Sequence, residues 1–121
     1  MTEFEEQTLL KIVSHCQQIQ DYLGIGDFYK NPLVMDGVTL RVMAIGELVK
    51  RLSEEFRKET NEAEKTLGKT VTDWRGLAGI RDFVAHQYDA VDFEIVYETA
   101  TTEIKPLKEI CEYMLRTSER R

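Results

Sequence analysis

The stretch VTLRVMAIGELVKRLSEEF, residues 38–56, decides the fold class. Its apolar residues Val38, Val42, Ile45, Val49, Leu52 and Phe56 recur at steps of four, three, four, three and four. That spacing lays one stripe along a helix, whereas a half-buried strand would alternate at every second residue. Upstream, Asn31 and Pro32 read as an N-cap followed by proline at the first helical position, where its missing N–H leaves no hydrogen bond unmade. The pattern predicts one long helix from Asn31 to about Lys58.

The same periodicity extends in both directions. A first helix is expected over about Glu3 to Leu23, burying Leu9, Ile12, Cys16, Ile19 and Leu23 and ended by Gly24 and Gly26. From Glu59 to Thr72 the apolar stripe disappears, which predicts a polar connection with at most a short helical turn. A further helix should start at Thr72 or Asp73, with Trp74, Leu77 and Val84 on one side. Another begins near Asp92 and carries Ile95, Val96, Ala100, Ile104, Leu107, Cys111, Met114 and Leu115. Pro106 should split it just before that residue. No strand pattern, internal repeat or low-complexity tract intervenes. The expectation is all-α: an antiparallel bundle of four to five helices in one domain spanning residues 1–121.

Composition narrows the function classes. A chain of 121 residues buries roughly two-thirds of its unfolded surface, enough for a core without disulfide or metal staples. The net charge of −6 counts against non-specific duplex-DNA binding, which needs a basic footprint. It does not bar a local basic cleft, because local potential steers a ligand. Arg41, Lys50, Arg51, Arg57 and Lys58 cluster in one segment and read as a solvated helix face. No apolar run has the length of a membrane span, and the acidic start MTEFEEQTLL is not a signal peptide, so a cytoplasmic location is expected. Cys16 and Cys111 lack metal-ligand spacing and read as reduced core thiols; no metal and no cofactor is expected.

The stretch RDFVAHQY, residues 81–88, concentrates the chemistry. On a regular helix Asp82 and His86 share a face, as do Arg81 and Tyr88. Arg81 and His86 stand about 140° apart. They would converge only if the helix ended before His86, or if a second copy of the chain brought its own pair to the same cleft. Histidine serves as acid and base near neutral pH, which suits attack by an RNA 2′-hydroxyl and protonation of the leaving oxygen. Arginine matches two phosphoryl oxygens. Asp82 would fix the His86 tautomer by accepting its hydrogen bond. Spacing alone favours a plainer account: His86 capping a helix end, Arg81 and Asp82 as surface charges, Tyr88 as a core aromatic. His15, the other histidine, shows no arginine and carboxylate set nearby in sequence and reads as structural.

RDFVAHQY fits the Arg-x4-His-x-Tyr pattern and resembles the HepT-like toxins of the HEPN superfamily. TDWRGLAGIRDFVAHQYDAVDFEIVYE, residues 72–98, and RVMAIGELVKRLSEEF, residues 41–56, with its Ile-Gly-Glu and Lys-Arg-Leu elements, extend the likeness from about Val38 to Leu115. The resemblance implies a HEPN bundle that forms a homodimer, with Arg81 and His86 of both subunits lining a shared cleft. It implies a metal-independent endoribonuclease, with tRNA as the expected substrate, acting as the toxin of a toxin–antitoxin pair. The implied partner is an MntA-like minimal nucleotidyltransferase that silences the toxin by attaching AMP to Tyr88. Two positions depart from the family pattern: Asp82 where asparagine is frequent, and Asp73 where proline is frequent. The alternative function is a non-catalytic HEPN module that binds RNA, a nucleotide or the nucleotidyltransferase.

Overall fold

The computed structural model describes residues 1–84 and 90–118. Among them are six helices: α1 (Glu3–Ile25), α2 (Pro32–Val49), α3 (Glu54–Thr66), α4 (Trp74–Val84), α5 (Phe93–Thr102) and α6 (Ile104–Thr117). The architecture is all-α. α1 packs on α2 and α6, and α2 in turn packs on α4 and α5.

Local chemistry sets the helix ends. Thr2 and Glu5 form a capping box at the start of α1, each side chain bonded to the other's backbone N–H. This satisfies two donors that the first turn would leave open. α1 runs through Gly24 and ends at Gly26. The Asn31 carboxamide accepts from the backbone N–H groups of Leu33 and Val34, with Pro32 following it. Asp92 caps α5 by accepting from the Ile95 N–H. α5 and α6 divide at Glu103, ahead of Pro106, which has no N–H to continue the ladder.

Two expectations fail in the middle of the chain. The long helix through Lys58 is broken: α2 stops at Val49, and Ser53 starts α3 by accepting from the Phe56 N–H. The break keeps the apolar register, since Leu52 and Phe56 are both buried. The polar connection expected from Glu59 is instead most of α3. Its inward face is Phe56, Thr60 and Glu64, so two of its three buried positions are polar and the hydrophobic signal vanishes. Each polar group is satisfied. Thr60 donates back to the Phe56 carbonyl, and the Glu64 carboxylate accepts from both the N–H and the hydroxyl of Thr72. Glu64 thereby ties the chain leaving α3 to the start of α4.

The core joins all six helices. Leu9, Ile12, Cys16 and Ile19 of α1 meet Val38, Val42, Ile45 and Val49 of α2, and Ile104, Leu107, Ile110 and Cys111 of α6 complete it. Both cysteines are free and buried, and burial pushes the Cys16 thiol up to about 12. Phe28, in the α1–α2 loop, packs against Phe93 and Tyr97 and fastens that loop to α5.

Candidate active site

The crossing of α2 and α4 positions the site. A Cβ at Gly46 would lie 2.6 Å from Ile80 Cγ2 and 3.0 Å from the Leu77 carbonyl oxygen, so only glycine lets the two helices approach this closely. The residue after Gly46 is Glu47, and the residue after Ile80 is Arg81. The close approach therefore brings those two side chains together. Arg81 Nη1 lies 3.3 Å from Glu47 Oε1, and Lys50 Nζ lies 3.4 Å from the same oxygen. All three side chains are about half exposed, with the Arg81 side chain at 55%. The hydrogen bond from Arg81, then that from Lys50, holds the Glu47 carboxyl below its ordinary range.

Arg81 lies in the last turn of α4 and Asp82 beside it, both exposed. His86 and Tyr88 lie outside the described residues. So does any bond between Asp82 and His86. Described atoms do bracket them: the Val84 carbonyl accepts from the Asp92 N–H at 3.2 Å. The chain thus leaves α4 and enters α5 at one place, three residues past Arg81. A cleft of about 730 Å³ lies elsewhere, between α3 and the start of α4, and neither Arg81 nor Glu47 lines it.

The other histidine does have an arginine. Arg41 Nη1 is 3.1 Å from His15 Nδ1, and Arg41 Nη2 is 3.4 Å from the Tyr22 hydroxyl, across the α1–α2 contact. Burial, followed by the charge of Arg41, pushes the His15 pKa down, so a neutral imidazole accepts from the guanidinium. The expected basic face on residues 41–58 is likewise divided. Arg41 turns toward α1, Lys50 toward Glu47, and Arg57 donates to the Val49 carbonyl at the end of α2. The helix break at Lys50–Ser53 separates them.

Residues 9–114 match the family model described as "Ribonuclease HepT-like", most of the chain. The chain belongs to the ribonuclease HepT-like family. As a HepT-like protein it is a ribonuclease-type member of the HEPN superfamily. It is similar to "Putative RNase TTE0752" of Caldanaerobacter subterraneus subsp. tengcongensis, with 32% identity over 100 residues, covering 80% of this chain and 81% of that protein. It is also similar to "Putative RNase MJ0125" of Methanocaldococcus jannaschii, with 28% identity over 114 residues, covering 92% of this chain and 90% of that protein. No solved structure matches. No helix among the described residues is long and apolar enough to cross a membrane.

Sequence reasoning found Arg81, read Lys50 as part of a solvated basic face, and assigned no role to Gly46 or Glu47. Glu47 precedes Arg81 by 34 residues and lies off the apolar stripe, so no local spacing links the two. The Ile-Gly-Glu element held the signal: a core residue, a contact glycine and the carboxylate that contact delivers.

Proposed function

We propose that this HepT-like protein is a metal-independent endoribonuclease, the toxin of a HEPN/MNT toxin–antitoxin module, cutting RNA of the tRNA class in the cytoplasm. The observation that carries the reading is the half-exposed Arg81 guanidinium, held by Glu47 where α4 ends, immediately before the segment with His86 and Tyr88. His86 takes the proton from a ribose 2′-hydroxyl. The 2′-oxygen attacks phosphorus, the bond to the 5′-oxygen breaks, and a protonated histidine returns a proton to that oxygen. Arg81 stabilises the charge that develops on the phosphoryl oxygens. The products are a 2′,3′-cyclic phosphate and a 5′-hydroxyl. The Arg81–His86 offset of about 140° on a regular helix motivates a homodimer in which each subunit completes the other's cleft.

The face of α2 that carries Glu47 supports that dimer. Leu33, Leu40 and Glu47 are seven residues apart in turn and share one side of the helix. Leu33 is 83% exposed and Leu40 64%. Exposed leucines in register with the arginine's partner suit a contact between two copies that ends at the site. In this reading an MntA-like nucleotidyltransferase silences the toxin by adding AMP to Tyr88, and the added anion competes with substrate for Arg81. Incubating the protein with tRNA in excess chelator and mapping the fragment ends tests the chemistry. Cyclic phosphate and 5′-hydroxyl ends are expected. Intact tRNA would leave the non-catalytic binding module as the function.

A further inference from the structure

We infer that Arg81 and Lys50 together form one phosphodiester-binding site, strung on Glu47, in which Lys50 is a second substrate contact and Glu47 a positioning residue. The inference rests on the ribonuclease reading of Arg81 and extends it to α2. A single carboxylate oxygen, Glu47 Oε1, receives both Arg81 Nη1 at 3.3 Å and Lys50 Nζ at 3.4 Å. Lys50 is the C-cap of α2 and Arg81 lies in the last turn of α4, 31 positions apart in sequence (50 to 81), and their shared oxygen keeps them close enough to meet one phosphate. Stability does not account for the arrangement. Exposed ion pairs contribute little to folding, and setting two cations side by side adds repulsion. Two cations on one carboxylate leave a net charge of +1, which matches the single negative charge of a phosphodiester.

The donor inventory agrees. A guanidinium has five N–H donors and an ammonium three. Among the described residues, Glu47 accounts for one hydrogen bond from each. The rest of each half-exposed group faces outward, where a phosphoryl oxygen can add without displacing Glu47. The carboxylate sets the direction of the guanidinium. Without it, Arg81 at a helix end has no described side chain to orient it, and a misplaced phosphate contact costs rate.

The site is tested with binding and turnover on the intact protein. Binding is read by fluorescence anisotropy on a 2′-O-methylated RNA oligomer, which cannot be cut through its 2′-oxygen, across a KCl series. Lys50→Ala should flatten the slope of log affinity against log salt by about 0.7 to 0.9, the contribution of one phosphate contact. Lys50→Arg should restore it. Glu47→Ala should lower kcat at least tenfold with a much smaller change in KM and an unchanged melting temperature, because the pair is exposed. Cleavage by the parent with Lys50→Ala and Glu47→Ala both at parental values would overturn the inference and leave the nuclease reading standing. Lys50-dependent binding without cleavage would sustain the phosphate site and remove the nuclease. Neither binding nor cleavage by the parent would remove both.

Discussion

Gly46→Ala probes the contact on which the site is built. The new Cβ would sit 2.6 Å from Ile80 Cγ2 and 3.0 Å from the Leu77 carbonyl oxygen. Carbon atoms in contact prefer about 3.5–4.0 Å, so the first distance falls short by roughly 1 Å. Ile80 is β-branched, with one preferred rotamer in a helix, and the Leu77 oxygen is backbone. Neither yields easily, so α4 must move away from α2. Overpacking of this kind costs about 1–3 kcal/mol. Alanine's better helix propensity offsets about 1 kcal/mol of that. The expected net loss is about 1 kcal/mol, a fall of a few degrees in melting temperature. The effect on the site should be larger. Arg81 and Glu47 stand 3.3 Å apart, and a retreat of several tenths of an ångström takes them beyond hydrogen-bond range. A misplacement near 1 Å costs on the order of a hundredfold in rate, so RNA cleavage should drop at least tenfold in a protein that remains folded. Thermal melting followed by circular dichroism and cleavage of labelled tRNA read the two effects separately. A variant as stable as the parent and fully active would refute the reasoning, because the helices could then separate without consequence.

Three further outcomes are expected. His15 has a lowered pKa in the folded protein, from burial and then Arg41; as pH falls below about 6.5, its unfolded value, the unfolded chain takes up the proton first and stability declines, with no penalty above that pH. Urea denaturation between pH 7.5 and 5 should show that decline, and His15→Gln should flatten it; parallel curves would detach His15 from the effect. Leu40→Glu, at a 64% exposed position, should convert the proposed dimer into a folded monomer by analytical ultracentrifugation and lower cleavage with it, whereas an unchanged sedimentation coefficient would place the interface elsewhere. Tyr88→Phe should remain folded and toxic when an MntA-like partner and ATP are supplied, with intact mass showing AMP on the parent alone; equal modification of both proteins would move the acceptor away from Tyr88.

The legible parts of the sequence were those where one physical signal dominated. Asn31, ahead of Pro32, and Asp92 are caps whose side chains accept the bonds their positions call for, and the stripe from Val38 to Val49 is buried in full register. The division before Pro106 follows from a missing N–H. α3 was hidden because its interior face uses Thr60 and Glu64, whose burial depends on partners at Phe56 and Thr72. No helix periodicity registers a carboxylate satisfied from eight residues away. The break at Lys50–Ser53 was hidden for the opposite reason, since Leu52 and Phe56 continue the stripe across it. In the site, Arg81 was found from its own motif. Glu47 and Lys50 became visible only once two distant helices met at Gly46. His15 was set apart for lacking a nearby arginine, yet Arg41 reaches it across the α1–α2 contact, 26 residues away.

The claim that Arg81 and His86 carry the chemistry is tested most directly by cleavage rates of the parent, Arg81→Ala and His86→Ala on tRNA in excess chelator, each protein first checked for an unchanged circular dichroism spectrum. Loss of the acid–base group costs typically about 10²–10⁴-fold, and loss of a charge-stabilising donor about 10²–10³-fold. The account therefore expects measurable cleavage by the parent and at least a hundredfold loss in each variant. Variants that cut as fast as the parent would contradict it.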